Sequence, residues 1–207
     1  MKKLASLFAA LVLMLALAAP GAAAAQTGRI YLYGETHADP ACLEQELAAW
    51  DRYYKELGMR DLFIEVPSYT AQFMNLWMKA EDDAILSRLF EDLEGTLMHD
   101  QKIWDFYKSI KEQYPETVFH GFDVGHQYNT TGARYLIGLA LTGQMGSADW
   151  DEAQRVIEQG KQYYKTGDGA YRENCMAENL ARAFEALPMG ASVMVITGSA
   201  HSNLYAM

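Results

Sequence analysis

Short apolar runs alternate with longer segments of helical periodicity along most of the chain. Within the helical segments apolar side chains recur every three or four residues, as Leu43, Leu47 and Trp50 do. Buried strands that alternate with helices predict an α/β fold, with a small, mainly parallel sheet of four or more strands flanked by helices. Four apolar runs have the length and composition of such strands: residues 29–33, 61–65, 117–122 and 192–197.

The predicted helices are bounded by residues that commonly start or stop them. Asp39 and Pro40 have the features of an N-cap and a first helical residue. A long helical stretch over residues 68–114 is predicted to break near residues 80–82 and again near Gly95. Further helices are predicted over residues 130–142, 149–165 and 171–187.

The N-terminus has the pattern of a secretory signal. Lys2 and Lys3 precede an apolar run over residues 4–19, and an alanine-rich stretch ends at Ala25. We therefore expect a signal peptide over residues 1–25, which leaves residues 26–207 as a single domain that is secreted, periplasmic or at the cell surface. An uncleaved membrane tether is the alternative. No second apolar run of spanning length follows, so no stable membrane insertion is expected after cleavage.

The charge pattern limits the classes of partner. The chain has 27 acidic and 17 basic residues, a formal charge of −10, and no basic block. A small molecule or a peptide is therefore expected as partner, and nucleic acid is not. Export would permit a disulfide between Cys42 and Cys175, but each lies on a predicted helix among apolar neighbours, so two buried free thiols are the alternative.

Polar side chains capable of chemistry follow each predicted strand. In parallel sheets the carboxyl ends of the strands lie at one edge, where ligands bind. We therefore expect these side chains to converge on one site. A polar strand end followed by a helix cap is the alternative reading of any one of them. The residues concerned are Glu35 and His37, Glu65, Asp123, and His201.

A helical segment adds a cation and an amide to these groups. Arg172 and Asn179 lie on one face of the predicted helix over residues 171–187. The arginine would bind a carboxylate, a phosphate or a developing oxyanion, although a surface ion pair is the alternative. We expect Asp123, His126 and Asn179 to line the substrate pocket.

The order of these motifs resembles the erythromycin esterase-like family, which belongs to a wider group with Tiki proteases, TraB proteins and haem-binding uptake lipoproteins. The resemblance implies that His37 is the general base that activates a water. It also implies that Glu35, Glu65 and His201 position the base, the water or a metal, and that Arg172 stabilises negative charge. The motifs that carry the resemblance are Gly34-Glu35-Thr36-His37, Phe63-Ile64-Glu65, Gly121-Phe122-Asp123, the segment 172–179 and the segment 193–201.

The sequence therefore predicts an exported hydrolase of an ester, a lactone or an amide. No Gly-x-Ser-x-Gly motif is present, so we expect a His-activated water and no covalent intermediate. Full erythromycin esterases are longer, with extra helices over the cleft, so a macrolide substrate is not expected. We expect no cofactor, with a divalent metal as the open alternative on Glu35, His37, Glu65 and His201.

Two further functions stay open at this point. One is a metal-dependent peptidase of the Tiki type, and the other is a haem- or iron-binding surface protein without turnover. A family member that keeps the fold but has no catalytic role is also conceivable.

Overall fold

Four parallel strands form one sheet in the computed structural model, which describes residues 28–202. The strands are β1 (Ile30–Glu35), β2 (Asp61–Pro67), β3 (Val118–Asp123) and β4 (Val193–Gly198). Their order across the sheet is β1-β4-β2-β3, and each neighbouring pair is parallel. The predicted α/β class and the parallel sheet are thus confirmed.

Eight helices accompany the sheet within the described range. They are α1 (Pro40–Glu56), α2 (Ser68–Met78), α3 (Ala84–Asp92), α4 (Gln101–Gln113), α5 (Ala133–Leu141), α6 (Ala148–Thr166), α7 (Gly169–Glu185) and α8 (Ser199–Ser202). The stretch over residues 68–114 divides into α2, α3 and α4 near the predicted breaks. A π-helical turn, Tyr128–Gly132, precedes α5.

The two faces of the sheet are covered by different helices. Successive side chains of a strand point to opposite faces. On one face Ile64, Met194 and Ile196 pack with Trp50 of α1 and Trp77 of α2. On the other face Phe63, Val193 and Val195 pack with Met176 of α7. The central strand β4 is buried at every position, which explains its continuous apolar sequence.

The sheet also separates the two cysteines. Cys42 lies on α1 and Cys175 on α7, and these helices cover opposite faces, so both thiols are free. The disulfide that the sequence left open is therefore absent. None of the helices within residues 28–202 has the length and apolarity to cross a membrane. The expected signal peptide, residues 1–25, lies outside the described residues.

The segment that follows β3 packs directly against α6. The backbone N–H of Gly125 donates to the carbonyl of Val156 at 3.0 Å. An added Cβ on Gly160 would lie 2.0 Å from the carbonyl oxygen of Gly125, so only glycine permits this approach. The position of His126, the next residue, therefore depends on the packing of this segment against α6.

Substituting alanine for Gly160 should destabilise the fold and displace the segment around His126. The methyl group would overlap backbone atoms that have no free rotation, and overpacking of this kind costs about 1–3 kcal/mol. Gly138 is the matched control, because it lies in α5 with open space around its Cβ position. Gly138→Ala should stabilise the protein by about 0.5–1 kcal/mol through helix propensity. Urea denaturation of both variants measures the difference, and equal stabilities would contradict the close approach.

Candidate active site

The carboxyl ends of the strands border one open cavity of about 320 Å³. This edge is where a parallel sheet brings its loops together, and residues from all four strand ends take part. Its apolar wall is formed by the segment between α3 and α4 together with the end of β2. The polar side chains that line it are His37, Glu65, Asp123, His126, Tyr164, Arg172 and His201.

Arg172 of α7 crosses the site and binds two buried carboxylates. Its Nε and Nη2 donate to Asp123 at 2.9 and 2.6 Å, a bidentate pair, and Nη2 also donates to Glu65 Oε1 at 2.8 Å. Only 2% of the Asp123 side chain and 8% of the Glu65 side chain are exposed. Charge-assisted bonds in such surroundings are short and strong, and they keep the guanidinium in one orientation.

The second oxygen of Glu65 binds the end of β4. The hydroxyl of Thr197 and the backbone N–H of Gly198 donate to Oε2 at 2.7 and 2.6 Å. Glu65 therefore accepts hydrogen bonds on both oxygens, from α7 on one side and from β4 on the other. The carboxylate connects the end of β2 to two other elements of the site.

The imidazole of His37 has one bound and one free nitrogen. Nδ1 lies 2.8 Å from Glu35 Oε1, while Nε2 has no hydrogen-bond partner within residues 28–202. A Cβ added at Gly198 would lie 3.1 Å from Nε2 and 3.4 Å from Glu65 Oε2, so both atoms border the same small space. The hydrogen bond to Glu35 raises the pKa of His37, although burial opposes the shift. A neutral ring that donates from Nδ1 would keep Nε2 as an acceptor.

His201 lies within the short helix α8 and also contacts Glu65. Its Nδ1 is 2.6 Å from Glu173 Oε1, and its Nε2 is 3.3 Å from Glu65 Oε1 and 3.3 Å from Arg172 Nη1. The ring thus bridges the exposed carboxylate of Glu173 and the buried ion pair. The sequence analysis missed Glu173, although it is the neighbour of Arg172 in the chain.

A third histidine reaches the site from the segment after β3. His126 Nε2 is 2.9 Å from Asp123 Oδ2, and its Nδ1 is 2.5 Å from the hydroxyl of Tyr164. Burial would raise the pKa of Asp123, but the hydrogen bonds from His126 and Arg172 outweigh it and lower that pKa to about 2. Asp123 is thus ionised at neutral pH and is a counter-ion of Arg172. Tyr164 was also missed, because nothing in the local pattern of α6 distinguishes it.

Asn179 does not line the cavity, contrary to the prediction. It is 3% exposed and accepts from Arg155 Nη1 at 2.6 Å, and its amide donates to Gln159 at 2.9 Å. It also donates to the backbone carbonyl of Asp123 at 3.4 Å. Asn179 lies seven residues, about two helical turns, beyond Arg172 on α7, where it supports the backbone behind Asp123.

A further carboxyl group, that of Glu46, lies behind the cavity. Glu46 of α1 is 3% exposed and shares an enclosed space of about 20 Å³, large enough for one water, with Glu35, Glu65 and Tyr107. Burial, with a smaller contribution from the charge of Glu35, raises the pKa of Glu46 to about 8. The sequence reasoning missed it because it occupies an inward position of an amphipathic helix that is otherwise apolar there.

The residues present do not fit the metal site that the resemblance allowed. Within the part of the chain that the structure describes, no three His, Cys, Asp or Glu side chains are grouped to hold a metal ion. Glu35 is directed at His37 Nδ1, and the guanidinium of Arg172 lies against Glu65 and beside His201. A fixed cation occupies the position where such ligands would have to converge.

Comparisons with known proteins add evidence at the level of fold. No protein-family model matches the chain, and no curated protein matches it in sequence. Among solved structures, an erythromycin esterase, EreC, crystallised as a point mutant in its open conformation, superposes with a TM-score of 0.55 at 12% identity. The fold is similar to that of an erythromycin esterase. A protein from Bacillus cereus superposes with a TM-score of 0.57 at 11% identity.

The shared portion is unequal in the two directions. The superpositions cover 83% and 84% of this chain but only 60% of the esterase and 57% of the Bacillus cereus protein. At these identities the likeness is one of fold alone. The residues of this chain must therefore support any statement about its reaction.

Replacing Glu35 with Gln should lower the pKa of His37. Glu35 is the largest cause of the upward shift, and an amide oxygen stabilises the imidazolium less than a carboxylate does. Proton NMR of the His37 ring during a pH titration measures the value, and Glu44→Gln, an exposed position on α1, is the control. A pKa that is unchanged in Glu35→Gln would contradict the pairing.

Replacing Glu46 with Gln should remove a loss of stability at rising pH. Since the pKa of Glu46 is raised from 4.5 to about 8, the folded chain keeps a proton that the unfolded chain loses between these values. The free energy of unfolding of the native protein therefore falls across this range, by several kcal/mol at about 1.4 kcal/mol per pKa unit.

Urea denaturation at pH 5 and pH 8 tests this expectation. Glu46→Gln should be close to the native protein at pH 5 and more stable than it at pH 8. Glu44→Gln should keep the native dependence. A Glu46→Gln protein that loses as much stability as the native protein between the two pH values would show that Glu46 is ionised in the folded state.

Proposed function

We propose that the protein is a hydrolase of small carboxylic esters or lactones in which His37 activates a water. The observation that carries the proposal is the pairing of His37 Nδ1 with Glu35 at 2.8 Å. This pairing leaves Nε2 without a partner among residues 28–202, beside a cavity that Arg172 also lines. A base oriented by a carboxylate and a nearby fixed cation are the two requirements of ester hydrolysis by water. The fold shared with an erythromycin esterase supports the same reaction class.

In this mechanism His37 Nε2 takes a proton from water as the water oxygen bonds to the acyl carbon. The carbonyl oxygen becomes an oxyanion, and Nη1 of Arg172 supplies a nearby N–H donor. The tetrahedral intermediate collapses, the acyl carbon–oxygen bond breaks, and the imidazolium returns its proton to the leaving alkoxide. The products are a carboxylic acid and an alcohol, and no bond to the protein is formed.

The hydrogen bonds of Arg172 support its part in this scheme. Asp123 and Glu65 hold Nε and Nη2, while Nη1 is 3.3 Å from His201 and has no carboxylate partner among residues 28–202. A donor whose orientation is already set needs no reorganisation when charge develops on the substrate.

The size of the cavity favours a small substrate. A volume of about 320 Å³ lies at the lower end of the range for ligand pockets, about 300–1,000 Å³. We therefore propose a small molecule as partner, no required cofactor, and export, which the N-terminal sequence supports. No feature of the described residues favours the peptidase or the haem-binding alternative.

His37→Gln should lower kcat on p-nitrophenyl acetate by about 10²–10⁴, the usual contribution of a general base. His120→Gln is the matched control, because His120 pairs with Asp61 at 2.8 Å and does not line the cavity. Both variants should keep the native circular dichroism spectrum. Comparable activity of His37→Gln and native protein, with hydrolysis detected in both, would refute the assignment of the base.

A further inference from the structure

A small apolar cavity adjoins the candidate active site. Its volume is about 40 Å³, and it is enclosed by Leu86, Leu89, Phe90 and Trp104 among others. Four residues line both this cavity and the larger one: Val66, Thr70, Leu93 and Met98. The two spaces therefore share part of their lining.

The shared wall is apolar and adaptable. Met98 is unbranched and half-buried, and such side chains change rotamer readily to admit a ligand. Leu97, next to it, lines the larger cavity while 77% exposed. An exposed leucine and an apolar void beyond the wall together form a mainly apolar strip, in which Thr70 is the polar member of the four shared lining residues.

We propose that the substrate is an ester with a short, unbranched alkyl acyl chain, and that this chain lies along Leu93, Leu97 and Met98 toward the apolar cavity. The inference rests on the proposed function and specifies its substrate class. The carbonyl would lie at the polar end, beside His37 and Arg172. The void adds room for about one methylene group, if that group is taken as similar in size to a water at about 30 Å³.

The length of the acyl chain is the first measurement. Burial of each methylene should raise kcat/KM about threefold to fourfold until the strip is filled. In the series of p-nitrophenyl acetate, butyrate, hexanoate and decanoate, we expect a rise of about tenfold from acetate to butyrate and a decline by decanoate. A branched ester, p-nitrophenyl pivalate, should be a worse substrate than butyrate.

The second measurement uses a variant in which a larger side chain fills the apolar cavity. Leu89→Phe adds volume to its wall, so the ratio of kcat/KM for hexanoate to that for acetate should fall about threefold to fourfold, the contribution of the one methylene that the void admits. Leu141→Phe makes the same exchange at an 83% exposed position of α5 and should keep the native ratio. Met98→Ala, at the shared wall, should shift the optimum to a longer chain, which gives a second test if Leu89→Phe folds poorly.

Binding of the carboxylate product provides a readout without turnover. Trp104 lines the apolar cavity, and its ring lies 5.2 Å from that of Phe90. Titration of the native protein with hexanoate should change the tryptophan fluorescence, whereas acetate should not. In Trp104→Phe the hexanoate signal should be lost.

The two proposals fail in different ways. Hydrolysis of every ester with a flat chain-length profile would overturn the inference and leave the proposed function intact. No hydrolysis of any ester would overturn the proposed function. In that case the titration decides the inference by itself: a signal from Trp104 with hexanoate supports the alkyl site, and its absence overturns it.

Discussion

The carboxylate of Glu65 is the interaction on which the site depends. It receives four hydrogen-bond or ion-pair contacts, from Arg172, His201, Thr197 and Gly198, which belong to α7, α8 and β4. A buried carboxylate is costly unless its oxygens are all paired. Here the pairing partners come from three elements, so the cost is offset only when these elements are assembled.

Asp123 repeats this constraint at the neighbouring strand end. Arg172 cannot satisfy Glu65 alone, since its fork also binds both oxygens of Asp123. The guanidinium is therefore held by two anions that lie on adjacent strands, β2 and β3. Removing one partner of such a network leaves an uncompensated buried charge, which is far more disruptive than losing an exposed ion pair. The hydrogen bonds that hold the guanidinium in place therefore also stabilise the fold.

The three histidines that line the cavity differ in their hydrogen-bond partners. His37 is paired with one carboxylate through Nδ1, and its Nε2 has no partner among residues 28–202. His126, in contrast, has contacts on both nitrogens, and His201 bridges two carboxylates. Only the first arrangement leaves an imidazole nitrogen available to a water or a substrate. The chemical difference between the three rings lies in these contacts, since the rings themselves are identical.

The sequence predicted the class of fold more completely than it predicted the place of each side chain. The alternation of apolar runs and helical periods was sufficient to predict the α/β class, because burial on both faces makes parallel strands continuously apolar. The convergence of strand ends followed from that topology. It brought His37, Glu65, Asp123, His126, Arg172 and His201 around one cavity. Asn179 was also predicted to line the cavity, and it does not. Helical spacing predicts a shared helix face but not how far along that face the cavity extends.

The sequence by itself thus determined the class of fold and the types of side chain at one edge of the sheet. Only the tertiary structure decided which nitrogen of His37 is free, that Arg172 lies between two carboxylates, and that Glu46 is buried behind them. The physical reason is that backbone periodicity is a local property, whereas pKa values and hydrogen-bond partners depend on side chains brought together from distant segments. Those contacts exist only after the helices have packed on both faces of the sheet.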